Sequence, residues 1–210
     1  MSIAIPRPRS WRHSSNGIAF ALFLALTSSA CGSPMKKPDI KQNPTPKQRY
    51  DITLRIDGAP GPFDSVAGSV DYQVSNGRCV PLTPISGATV VPQEHIPLTL
   101  THVSDNVYKG TLYADRFVDE DYYGLGVCQW ELVAAGIELK VGKMDFSPSI
   151  FLKDIKAGTP VVTYFSKHFY EDSTKPDAPS LTDSGRARRE DYKDPTSTFS
   201  ATLTAEEITP

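Results

Sequence analysis

No apolar run in the sequence is long enough to cross a bilayer. The longest, residues 17–26 (GIAFALFLAL), falls short of the roughly 20 residues that a membrane-spanning helix needs. No segment of helical length carries apolar residues at i, i+3, i+4 and i+7, which points away from a helical fold. An arginine-rich face is missing, as is a basic stripe interleaved with aromatics, so nucleic acid is not an expected partner. Cysteine is scarce, three in 210 residues, and none of the three is spaced for zinc. The later histidines, His95, His102 and His168, form no paired-histidine metalloprotease pattern. His102 continues the row Ile96, Leu98, Leu100 and reads as a histidine at a strand end. There is no Gly-x-Ser-x-Gly elbow, and Gly124-x-Gly126 lacks the further glycine and the helix of a phosphate loop. These gaps predict a protein that is not an enzyme and uses no cofactor or metal.

What is present suits a soluble domain, with 39% apolar and 22% charged residues. Eighteen prolines against 14 glycines predict many turns. The formal charge of -2 hides an asymmetry, because the first thirty residues hold Arg7, Arg9, Arg12 and no acid. Without them, 19 basic side chains face 24 acidic ones.

That arginine-bearing start, the short apolar stretch and the small residues Thr27-Ser28-Ser29-Ala30 read as a signal peptide over residues 1–30. Cleavage after Ala30 makes Cys31 the new N-terminus. Here the chain resembles bacterial lipoproteins, whose small residues precede a cysteine that becomes acylated, although Ser28 stands where the family usually has leucine. An ordinary signal peptidase would cut the same bond and leave a free thiol. Cysteine parity favours acylation, since it leaves an even pair in an oxidising compartment. Gly32 lacks the aspartate that the lipoprotein family associates with inner-membrane retention, so the resemblance implies an outer-membrane lipoprotein facing the periplasm. Residues 31–49, with Pro34, Pro38, Pro44 and Pro46 among lysines, read as a semi-extended lipidated tether.

From Tyr50 the pattern turns to period two. Tyr50, Ile52, Leu54 and Ile56 alternate with polar residues, as do Val66, Gly68, Val70, Tyr72 and Val74. Asn76-Gly77 favours a tight hairpin turn whose returning chain carries Cys79. Ile96, Leu98 and Leu100 begin a second hairpin that returns over 107–113. Further strand candidates are 128–134, 137–141, 149–152 and 161–165. The expectation is an all-β domain over residues 50–170, a single sandwich-like or open-barrel body of about seven to eight short antiparallel strands. Cys79 and Cys128 pair within it, the alternative being two unpaired core thiols that a secreted protein would not keep. Residues 171–210, poor in large apolar residues, read as a disordered tail, with Arg186, Arg188 and Arg189 as an alternative partner-binding cluster.

The densest chemistry lies at Asp119-Glu120-Asp121-Tyr122-Tyr123-Gly124-x-Gly126-x-Cys128-x-Trp130. Asp119-x-Asp121 opens like a calcium loop, with Asp115 and Glu120 as further oxygens, but Tyr123 and Trp130 stand where ligands belong. A solvated loop is the plain reading. A protein-recognition surface is the third: Tyr122 and Tyr123 offer contact area, while Asp115, Asp119, Glu120 and Asp121 steer a basic partner.

Together with Gly68-x-Val70-x-Tyr72-x-Val74 and Cys79-Val80-Pro81, this segment resembles a group of proteobacterial lipoproteins. Many of those accompany secreted antibacterial toxins, often phospholipases, as immunity proteins. The resemblance implies a lipid-anchored periplasmic protein that neutralises a toxin by binding it. The alternatives are an envelope structural or assembly lipoprotein, or a calcium or small-ligand binding module.

Overall fold

The computed structural model describes residues 38–209. The signal peptide and Cys31 lie outside the described residues. Eleven strands and two short helices follow in order: β1 (Arg49–Asp57), β2 (Ser65–Val74), β3 (Gln93–Leu98), β4 (Leu100–Ser104), β5 (Val107–Tyr113), β6 (Trp130–Val141), β7 (Met144–Phe146), β8 (Ser149–Phe151), α1 (Leu152–Ala157), β9 (Val161–Ser166), α2 (Lys167–Ser173), β10 (Leu181–Asp183) and β11 (Thr198–Ile208). One sheet has the order β4-β5-β1-β11-β9, the other β10-β7-β6-β2-β3, with β8 pairing on β6. The architecture is all-β and sandwich-like, with more strands than the seven or eight expected. Among the described residues no helix is long and apolar enough to cross a membrane.

Period-two alternation builds both sheets. Tyr50, Ile52, Leu54 and Ile56 of β1 are buried, and Val70 and Tyr72 of β2 share their core cluster from the facing sheet. Tyr72 crosses the interior to donate its hydroxyl to the Tyr113 carbonyl at 2.7 Å, and burial pushes its pKa up to about 12.

The expected strands 128–134 and 137–141 are one strand, β6. Its register against β2 shifts between Asp71 and Tyr72, which face Ala134 and Leu132. The extra residue, Val133, moves the inward row from Leu132 to Ala135, Ile137 and Leu139. A bulge of this kind breaks the alternation that would otherwise reveal one long strand. The row Ile96, Leu98, Leu100 also divides, because β3 joins one sheet and β4 the other. His102 is accordingly exposed and stacks on Tyr108 across the β4–β5 hairpin, with ring centroids 4.7 Å apart.

The disordered tail is corrected outright. β11 lies between β1 and β9, pairing Leu54 with Leu203 on one side and Phe165 with Phe199 on the other. Phe199, Ala201 and Leu203 are fully buried. Before it, β10 pairs in parallel with β7, and Arg186 exchanges both backbone hydrogen bonds with Tyr164. Arg186 and Arg189 also lie over the rings of Tyr192 and Tyr164, which ties this arginine cluster to the body. The domain therefore runs to Ile208, not to 170.

The expected tether shortens as well. Ile40 packs against the core, Gln42 bridges Phe117, and the amides of Lys47 and Gln48 donate to the Asp115 carboxylate at 2.8 and 3.0 Å. Residues 38–48 belong to the folded body.

Candidate functional site

β2, β3 and β6 bring together at one end of the sandwich the loops that hold the sequence-predicted residues. The end of β2, the start of β6 and the start of β3 meet there, since Val74 faces Trp130 and donates its amide to Pro92. The Cys79–Cys128 disulfide is formed there, with Cα atoms 5.3 Å apart. It fastens the loop after β2 to the loop before β6. A second, small cluster surrounds it: Val74, Val80 and both cysteines are buried, with Val91, Tyr122, Tyr123 and Trp130 packed on them.

Asn76-Gly77 does not make the expected hairpin turn. The chain enters a 3-10 turn, Gly77–Cys79, and returns antiparallel to β2 only at β3, from Gln93. Asn76 instead clamps the other loop: its Oδ1 accepts the Gln129 amide at 2.7 Å and its Nδ2 donates to the Val127 carbonyl at 2.8 Å. Asn76 is thus a site residue that sequence reasoning missed. The signal was present, but Asn before Gly points to turn chemistry and hides a clamp.

The six predicted residues separate into fasteners and presenters. Asp115 faces the incoming chain, where both its oxygens accept backbone amides. Glu120 holds Lys41, Nζ to Oε1 at 2.6 Å, and this contact raises the lysine pKa. Its carbonyl also accepts the amides of Tyr122 and Cys128. Tyr122 donates its hydroxyl to the Val118 carbonyl at 2.7 Å. Tyr123 lies against the disulfide, and burial pushes its pKa up. Asp119 and Asp121 are exposed at the loop surface. Asp121 closes a local turn, its Oδ1 accepting the Leu125 amide at 3.0 Å, and Asp119 Oδ1 accepts the amide of Trp130, eleven residues on, at 2.8 Å. Among the described residues no donor meets the second oxygen of either. In the opening that resembled a calcium loop, Asp121 is therefore engaged in turn chemistry and Asp119 in tying the loop to the start of β6. Among the described residues no three His, Cys, Asp or Glu side chains assemble a metal site.

Beside this loop lies an open cleft of about 490 Å³, lined among others by Asp115, Phe117, Asp119, Trp130, Glu131 and Lys156. Phe117 and Trp130 pack against each other with ring centroids 4.8 Å apart. The Trp130 indole Nε1 is buried and has no protein acceptor. Leu125 and Val127 stand about half exposed at the tip of the acidic loop, next to the charge-bearing Asp121. Apolar tips, aromatic walls and free carboxylate oxygens on a cross-linked frame are the ingredients of a recognition surface. Comparison of the chain with protein-family models, with curated proteins and with solved structures returns no match.

Proposed function

We propose that this protein is a lipid-anchored periplasmic binding protein, held to the outer membrane through Cys31, whose disulfide-bearing end grips another protein. The observation that carries the reading is the fixing of the acidic loop. A disulfide, the Asn76 clamp and the Lys41–Glu120 pair hold it from three sides. A surface ordered before binding loses little conformational entropy on association, so most of its contact energy appears as affinity. Asp119 and Asp121 present negative charge beside Leu125 and Val127, which fits a partner whose apolar patch is rimmed by Lys or Arg. Such gripping needs a rigid face and no catalytic group.

Within this class the protein is an immunity protein that neutralises a secreted antibacterial toxin. That part rests on the resemblance carried by the 119–130 segment. The test pairs the mature full-length chain with the toxin encoded beside its gene. The expected result is a stable complex by size exclusion and protection of toxin-exposed cells. Asp119→Lys with Asp121→Lys should weaken the complex at least about tenfold, as charge reversal in a complementary rim does. Survival of toxin-exposed cells that lack the protein would refute the immunity role.

A further inference from the structure

Nine large apolar side chains stand exposed on the described surface, and three of them, Leu82, Ile85 and Val90, share one short hairpin. Ile85, at its tip, is fully exposed. No charged residue occurs between Arg78 and Glu94, so fifteen consecutive residues carry neither Lys, Arg, Asp nor Glu. Among the exposed large apolar residues described, Ile85 stands farthest from charge in the chain, seven positions after Arg78, whereas Leu125 is four from Asp121.

The hairpin also satisfies much of its own backbone. Leu82 bridges Thr89, the Thr83 amide donates to the Ala88 carbonyl at 2.9 Å, and the Gly87 amide donates to the Thr83 carbonyl at 3.0 Å. The Ala88 amide also meets the Thr83 hydroxyl at 3.1 Å. Pro81 and Pro84 have no amide hydrogen to satisfy. Gly87 takes the positive φ of +64° that the reversal requires. Polar backbone bonded internally, and apolar side chains directed outward, is the condition for entering a lipid boundary without stranding donors.

Chain length bounds how far the anchor can lie from the strand that follows this hairpin. Pro38, the first described residue, lines a hollow with Glu94 and Ile96, on the strand into which the hairpin runs. Cys31 stands only seven residues before it. Seven residues reach at most about 25 Å when fully extended. An acyl group on Cys31 therefore holds this end of the body close to the membrane, at an effective concentration where a modestly apolar loop partitions.

We infer that the 80–92 hairpin dips into the headgroup and acyl boundary of the membrane that carries the anchor, so that the body docks on the bilayer rather than swinging from it. The inference rests on the lipid-anchor reading of Cys31. With no Lys or Arg in the hairpin, and with Asp119 and Asp121 on the neighbouring loop, the docking is apolar and does not depend on anionic lipid.

The test uses the full-length mature lipoprotein carrying Ile85→Trp, reconstituted in phosphatidylethanolamine and phosphatidylcholine vesicles with brominated acyl chains. Trp130 in the parent protein sets the baseline. The indole at 85 should shift to the blue and be quenched about twofold or more, as befits a ring about 5–10 Å inside the boundary. Adding anionic phosphatidylglycerol should not strengthen the quenching. Mass spectrometry of the same sample reads acylation of Cys31 separately. Acylated protein whose new indole emits as in water and escapes quenching overturns the docking and leaves the anchor standing. A bare Cys31 thiol overturns both. A blue shift that rises with protein concentration and ignores bromine assigns the hairpin to a second copy of the chain, and also overturns the inference.

Discussion

Replacing Phe199 by Ala tests whether the last strand carries the fold. The Phe199 side chain is 1% exposed and sits in a ring cluster, with centroids 5.2 Å from Phe146, 5.3 Å from Phe165 and 6.1 Å from Phe63. Removing a buried phenyl deletes its transfer free energy and leaves a cavity, which together cost about 3–5 kcal/mol. The strands on either side of β11 hold the cavity walls apart, so collapse is limited and the upper half of that range applies. In a folded body of this size each kcal/mol moves the melting temperature by about 2–4 °C. The expected fall is then roughly 8–20 °C, with a matching drop in the urea midpoint at unchanged slope. Glu206→Ala, exposed near the end of the same strand, should stay within about 0.5 kcal/mol of the parent. A Phe199→Ala protein within 1 kcal/mol of the parent would refute the placement of β11 between β1 and β9.

Two further outcomes are expected. Replacing Cys79 and Cys128 together by Ala releases a cross-link across a sequence separation of 49, which chain entropy values at about 4 kcal/mol; urea unfolding should show most of that loss, and a change under 1 kcal/mol would contradict it. Asp115→Ala removes the acceptor of the Lys47 and Gln48 amides, both in exposed residues where water can take its place, and should cost about 0.5–1.5 kcal/mol. Amide exchange at 47 and 48 should quicken in that variant; unchanged exchange would mean that the carboxylate is not their acceptor.

The sequence revealed the strands whose inward residues are large. In β1 the row Tyr50, Ile52, Leu54, Ile56 leaves no doubt about the period, and β2 and β5 read almost as clearly. β11 escaped because two of its inward residues, Ala201 and Ala205, look the same at the surface as in a core, and because Pro195 and a charged stretch precede it. The neighbours that make small residues suitable there lie across the pairing, Ile56 and Thr163 beside Ala201 and Ile52 beside Ala205, and no local window contains them. β6 was split by its bulge, and the β3–β4 row was joined although the chain changes sheet between them. Cysteine parity found the disulfide because a covalent partner must exist somewhere in the chain. The acidic loop was found by its charge density, but density does not say which carboxylates face inward. Asp115 and Glu120 serve the fold, while Asp119 and Asp121 keep an oxygen for something else.

The position of the disulfide follows from how unevenly the core is distributed. The sandwich interior is continuous, running from Tyr50 at one end to Phe146, Phe165 and Phe199 at the other, and it holds the sheets without covalent help. Around the cross-link only Val74, Val80 and the two cysteines are buried. Four buried residues cannot offset the entropy of ordering the loop after β2 and the loop before β6, since each fixed residue costs about 1–2 kcal/mol in backbone freedom. The cross-link therefore stands in for a core that these loops do not have. Reduction should free them before it unfolds the sheets. Native-state amide exchange under mild reductant is expected to show lost protection at Cys128 and Gln129 while Leu54 and Leu203 remain protected. If all four amides opened together, the loops and the sandwich would be one cooperative unit, and the rigid recognition face would be a consequence of the sheets rather than of the disulfide.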